Sequence, residues 1–195
     1  MKGLWLLVVG AILGAAFALL PKVTAHLHSA LGAGSGKGGG QRLHTEERFS
    51  FLANAPLELV APLLGAEKEK LWAPDWNPQF IYPLPANDQQ GMVFAVRHGH
   101  LRSVWVNTQF DLKNGRVQYA YVIPDALVTL ITLKLTPEGN QTQVEVEYDR
   151  TALRAETEPH VQHLAEQDRT SGPEWEAQIN SYLAKYKSAA SNSGR

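Results

Sequence analysis

The sequence predicts an α+β domain: a curved antiparallel sheet wrapped on a long C-terminal helix, with one further hydrophobic helix at the N-terminus. Three observations predict it. From residue 49 to residue 148, apolar side chains recur at every second position in one segment after another, the period of half-buried strands. After the last of these, Trp175, Ile179, Tyr182, Leu183 and Tyr186 form a single stripe at helical spacing. Ahead of all of them, Leu4 to Leu20 carries no charged residue.

That apolar run lies at the short limit of the roughly 17–25 residues that cross a bilayer. It is longer than the ~7–15 expected for the core of a signal peptide. Residues 1–25 read as a permanent anchor or as a cleaved signal with Val23-Thr24-Ala25 supplying the small residues of a cleavage site; a buried helix of the soluble domain is the least favoured reading, because the glycine tract separates the run from everything downstream. Either of the first two places residues 4–20 in contact with a membrane. Lys2 favours a cytoplasmic N-terminus, whereas Lys22, Lys37 and Arg42 favour the opposite. The expectation is a single-pass membrane protein with its soluble domain periplasmic or otherwise extracytoplasmic, the cytoplasmic side being the alternative. Residues 26–43 read as a flexible tether. The Gly-Ser-Gly-Lys within Gly32–Gly40 is no phosphate loop, because Gly38 stands where a Ser or Thr is required.

A hydrophobic content of 44%, a formal net charge of -1 and the absence of cysteine bound the rest. They describe a globular domain with no basic excess for nucleic acid, no disulfide and no thiolate chemistry. Residues 44–187 form that domain, and 188–195 are expected to be a disordered tail. Phe49, Phe51 and Ala53 share one strand phase. Asn54-Ala55-Pro56 opens a helix that Pro62 must shorten or kink. Trp72, Pro74, Trp76 and Pro78 belong to a loop. Met92, Phe94, Val96, His98 and His100 share a strand face. So do Val104, Val106, Thr108, Phe110 and Leu112 in the next strand, which turns at Asn114-Gly115. Val117, Tyr119, Tyr121 and Ile123 follow, then Leu127, Thr129, Ile131, Leu133 and Leu135. The last strand carries Val144, Val146 and Tyr148, with Glu145, Glu147 and Asp149 facing out. Ser171-Gly172-Pro173-Glu174 has the pattern of a capping box and opens the final helix.

In this order the segments resemble the START-like SRPBCC superfamily, which includes Bet v 1-like and polyketide cyclase/dehydrase-like proteins. Glu69-Lys70-Leu71-Trp72-Ala73-Pro74-Asp75-Trp76 is similar to a Glu-x-x-Trp-x-Pro-x-Trp segment of a poorly characterised bacterial branch. Tyr148-Asp149-Arg150-Thr151-Ala152-Leu153 resembles that branch's last strand, and Glu174–Asn180 its closing helix. The resemblance spans about residues 44–187 and implies the helix-grip fold. It also implies a deep cavity between sheet and C-terminal helix for an apolar or amphipathic small molecule. The Gly172-Pro173 break departs from the pattern.

On that footing, Phe94, His98, Tyr119, Tyr121, Tyr148, Trp175 and Tyr182 are the candidate cavity residues, with Trp72 and Trp76 at its mouth. The two indoles have a structural alternative, as a latch on the first helices. His98/His100 and His160/His163 have spacings that a metal site can use, but no carboxylate is placed with them, so no metal is expected. No cofactor is expected, and no catalytic residue is assigned. Glu69, Asp75, Asp125 and Asp149 are the carboxylates from which a buried acid or base would come. The expected function is a membrane-tethered binding or carrier domain for a hydrophobic or amphipathic small molecule such as a lipid or isoprenoid. A cyclase- or dehydratase-like enzyme using a cavity carboxylate or histidine is one alternative. A structural interaction module of the envelope is the other.

Overall fold

The computed structural model describes residues 40–99 and 101–193. The Leu4–Leu20 run, nearly all of the tether, and His100 lie outside the described residues. Among the described residues no helix is long and apolar enough to cross a membrane.

The chain begins with β1 (His44–Ala53), which is followed by the single-turn helix α1 (Leu57–Val60) and by 3-10 turns at Ala61–Leu64 and Lys68–Leu71. Six more strands come next: β2 (Gln79–Tyr82), β3 (Val93–His98), β4 (Leu101–Asp111), β5 (Arg116–Ile123), β6 (Leu127–Glu138) and β7 (Gln141–Ala152). Two helices close the fold, α2 (Glu158–Asp168) and α3 (Gly172–Ser193). All seven strands lie in one antiparallel sheet in the order β1-β7-β6-β5-β4-β3-β2. Only the β1–β7 pairing joins strands distant in sequence. It brings the two ends of the domain together, so α2 and α3 pack against β1.

Pro62 acts as expected: α1 stops at Val60 and the chain tightens into a 3-10 turn. The Asn114-Gly115 turn is a 3-10 turn at Leu112–Asn114 closed by Gly115 at φ 62. A Cβ on Gly115 would lie 2.3 Å from the Leu135 carbonyl oxygen, so the position requires glycine on two counts.

Four expectations are corrected. First, β4 does not present Val104 and Val106 inward. Ser103, Trp105 and Asn107 face the core, and Val104 is exposed. A register shift between Asn107 and Gln109 then inverts the phase, and Phe110 opposite Val117 returns to the inner face. One extra residue in a strand exchanges its two faces. Second, α3 continues to Ser193, so the chain is helical beyond residue 187. Third, Tyr186 of the predicted stripe is exposed; Trp175, Ile179 and Leu183 are the buried set. Fourth, Ser171 does not form the capping box. Its hydroxyl donates to the Gln167 carbonyl at 3.0 Å and ties the start of α3 to the end of α2. Gly172 sits directly on β1, where a Cβ would lie 3.3 Å from the Ser50 oxygen and 3.5 Å from the Phe49 ring.

Candidate functional site

The concave face of the sheet is roofed by α3 on one side and by the Leu57–Trp76 segment on the other. Among the described residues, aromatic rings from both walls pack into the space where a deep cavity was expected. Trp105 stacks on Phe94 at 5.6 Å and on Tyr121 at 4.1 Å, while Trp76 meets Phe94 and Trp105 edge-on, each at 5.8 Å. Trp175, descending from α3, contacts Phe49, Phe51 and Trp72 at 5.5, 6.0 and 5.5 Å. Among the described residues, a small pocket lies there, in which the centre of a water-sized group has about 10 Å³, lined by Leu64, Glu69, Tyr119, Ile131, Leu133 and Trp175. That is room for about one water molecule.

Glu69 gives the pocket its chemistry. It belongs to the Lys68–Leu71 turn, whose first N–H groups are held by Asp88: the carboxylate accepts from Glu67 N at 2.8 Å and Lys68 N at 3.2 Å. Glu69 N donates to the Gly65 carbonyl at 2.8 Å, and the Glu69 carbonyl receives Trp72 N and Ala73 N. This places Glu69 on the inner side of the turn, between exposed Lys68 and Lys70. It is 5% exposed, and its Oε1 has no hydrogen-bond partner. Burial, with the Asp88 charge adding to it, holds the carboxyl well above the ordinary carboxylate range, which favours its neutral form. Trp175 lines the same pocket, and its indole N–H is also buried and unpartnered.

The predicted residues fall into three groups. Tyr119 and Trp175 line the pocket, and the Tyr119 hydroxyl donates to the Leu64 carbonyl at 3.0 Å. Phe94, Tyr121 and Tyr148 are buried nearby as packing; the Tyr148 hydroxyl has no partner. Tyr182 is half-buried on the flank of α3, stacked on Tyr186 at 6.4 Å, and is not among the pocket residues. His98 ends β3. Trp72 and Trp76 are not at a solvent-facing mouth. Both are buried, and their indole N–H groups donate to the Leu63 and Ala66 carbonyls at 2.7 Å each, which latches the first helical turns onto the core. Of the four carboxylates, only Glu69 is inside. Asp75, Asp125 and Asp149 are exposed or half-exposed.

Sequence reasoning missed a second buried polar cluster. Arg150 is 3% exposed on the concave face of β7. Its Nε and Nη2 donate to the two Asp168 oxygens at 2.9 and 3.1 Å, and Nη1 donates to the Tyr121 hydroxyl and, at 3.0 Å, to Thr129. Its guanidinium lies 4.6 Å from the centre of the Tyr148 ring. Its place was legible in one respect: Val144, Val146 and Tyr148 set the inward phase, and 150 continues it. No comparable signal marked Asp168.

His160 on α2 adjoins this cluster. Burial, then the Arg150 charge and His163, lower its pKa from 6.5 to about 4. Its neutral form is therefore the folded form. The stability it contributes is complete above about pH 6.5 and is lost as the pH falls toward about 4. A His160→Gln variant should flatten this acid limb in urea unfolding at pH 7, 5.5 and 4.5. An unchanged limb would assign the acid loss to other groups. Among the described residues no three His, Asp or Glu side chains are grouped so as to hold a metal ion.

No protein-family model and no curated protein matches the sequence. Solved structures do match. A point mutant of norcoclaurine synthase from Thalictrum flavum superposes with a TM-score of 0.56 at 11% identity, over 76% of this chain and 99% of that one. The protein Ara h 8.0201 gives 0.51 at 12%, over 73% and 99%. The Zhui aromatase/cyclase from a Streptomyces species gives 0.50 at 13%, over 74% and 94%. The fold is the Bet v 1-like helix-grip fold. At these identities the likeness carries architecture and no residue roles. Within the helix-grip frame, the pocket under Trp175 lies where sheet and closing helix meet.

Proposed function

We propose that this helix-grip domain binds a small amphipathic molecule between the sheet and α3, and that it does so at a membrane. The observation that carries the proposal is the pocket under α3, where Glu69 Oε1 and Trp175 Nε1 are both buried without partners. Each such atom costs about 1–3 kcal/mol unless something enters to meet it. The surrounding rings supply the apolar wall that such a guest requires. The described conformation is the closed one, so the guest's apolar part must displace rings as it enters. Trp175 stands on α3, next to the Gly172-Pro173 start of the helix, and is the side chain whose movement would open the pocket. The Leu4–Leu20 run and the tether support the membrane part of the proposal, since tethering raises the local concentration of apolar ligands available to the domain.

Organic extraction of the purified full-length chain, followed by mass spectrometry, tests this. The expected result is one apolar compound retained in near-stoichiometric amount and lost in Trp175→Ala. If nothing is retained and no lipid extract shifts the tryptophan fluorescence, the proposal fails. The packed core and the exposed Leu71, Ile81, Tyr82 and Leu84 would then favour an interaction module. A second possibility rests on Glu69 itself. A neutral buried carboxyl is suited to general-acid catalysis of an elimination or cyclisation. Turnover of a retained compound that is abolished in Glu69→Gln, with retention unchanged, would select that alternative.

A further inference from the structure

We propose that the pocket receives the uncharged oxygen terminus of its ligand, a hydroxyl above all, and that it discriminates against carboxylate and ammonium termini. This rests on the binding function proposed above and specifies its ligand class. The pocket has room for about one water molecule, which suits one oxygen with its hydrogen. Two of the lining residues, Glu69 and Trp175, each have a buried unpartnered atom, and these define what that oxygen must do. An indole N–H donates and never accepts, so Trp175 requires an acceptor. Glu69 Oε1 requires a partner that donates or accepts according to where its own proton sits. A hydroxyl meets both demands by rotating; a carbonyl oxygen meets the first and only one form of the second.

Charged termini fit worse. A carboxylate would be an anion beside Glu69 and Tyr119 with no cationic side chain on the pocket wall. Arg150 does not line the pocket, and four of its five N–H donors are taken by Asp168, Tyr121 and Thr129. An ammonium would place donor against donor at Trp175 Nε1. It would also require Glu69 to ionise where it is 5% exposed.

The test presents the full-length chain in detergent with an equimolar mixture of tetradecanol, tetradecanoic acid, tetradecylamine and tetradecane at pH 7. Native mass spectrometry reads what is retained. The alcohol should exceed the acid and the amine by at least about tenfold, one net hydrogen bond's worth. Trp175→Phe keeps the ring packing but removes the donor, and should reduce the alcohol's advantage over the alkane about tenfold. If the acid, the amine or the alkane is retained best, or if Trp175→Phe leaves the preference intact, the inference is overturned while the binding function stands. If none of the four is retained and extraction also yields no compound, the binding function fails and takes the inference with it.

Discussion

Replacing Arg150 with alanine should lower the unfolding free energy by about 3–5 kcal/mol, the cost of leaving a buried charge without its partner. Asp168 is 5% exposed, and its carboxylate receives two of the Arg150 donors. Burial raises the Asp168 pKa above its ordinary value even with the guanidinium beside it. Burial alone would lower the pKa of Arg150, but Tyr121 and Asp168 more than offset this, so it stays charged. Truncation therefore strands an acid and removes the donor to the Tyr121 hydroxyl and to Thr129 in one step. The pair is not needed for its own sake: Arg150→Met combined with Asp168→Leu should regain most of the loss, since apolar isosteres often match a buried pair. Urea denaturation checks both variants, with the midpoint falling at constant slope for Arg150→Ala. A loss below about 1 kcal/mol, the range of exposed pairs, would show that the cluster is hydrated in solution.

Trp105→Ala should cost a similar amount, about 3–5 kcal/mol. The ring is 1% exposed and stacks on Phe94 and Tyr121, with Trp76 and Tyr119 edge-on, so its removal leaves a cavity bordered by four rigid aromatics. Its N–H also donates to Ser103 Oγ at 2.7 Å. Val104→Ala, one residue away on the exposed face, should cost less than about 1 kcal/mol. The contrast tests the phase of β4: equal losses, or a larger loss at Val104, would mean that the strand presents its other face. Thermal or chemical unfolding of the two variants is sufficient.

That same strand shows where the sequence was legible and where it was not. In β5, β6 and β7 every inward position alternates without interruption, so Val117 to Ile123, Leu127 to Leu135 and Val144 to Tyr148 could be read by period alone. β4 has apolar residues on both phases, and its bulge changes which phase points inward; neither residue type nor spacing marks the extra residue. β2 is four residues long with mostly exposed side chains, too short for any period to show. In α2 only Val161, Leu164 and Ala165 form an apolar patch, while the buried Asp168 looks like a surface residue. At the site, aromatic side chains were recognisable as interior by type, which located Tyr119 and Trp175. Glu69 could not be ranked above Asp75, Asp125 or Asp149, because what buries it is the 3-10 turn capped by Asp88, a contact between residues about 20 positions apart. The filled cavity was not legible either, since alternation specifies which side chains point inward but not how much volume they occupy together.

The brevity of β2 has a consequence for behaviour at high concentration. β2 is one of the two outermost strands, so its free backbone groups are where a strand from another copy would dock and start a polymer. Four residues, stopped at once by Pro83 and then Pro85, leave almost no ladder to extend. The opposite margin, β1, is longer, but it carries Glu46, Glu47 and Arg48 in sequence, so an identical strand added parallel and in register would bring like charges together. Both margins thus resist cross-β templating. That matters for a domain whose concave lining is so rich in aromatic rings, because partial opening would otherwise expose a strongly aggregation-prone surface.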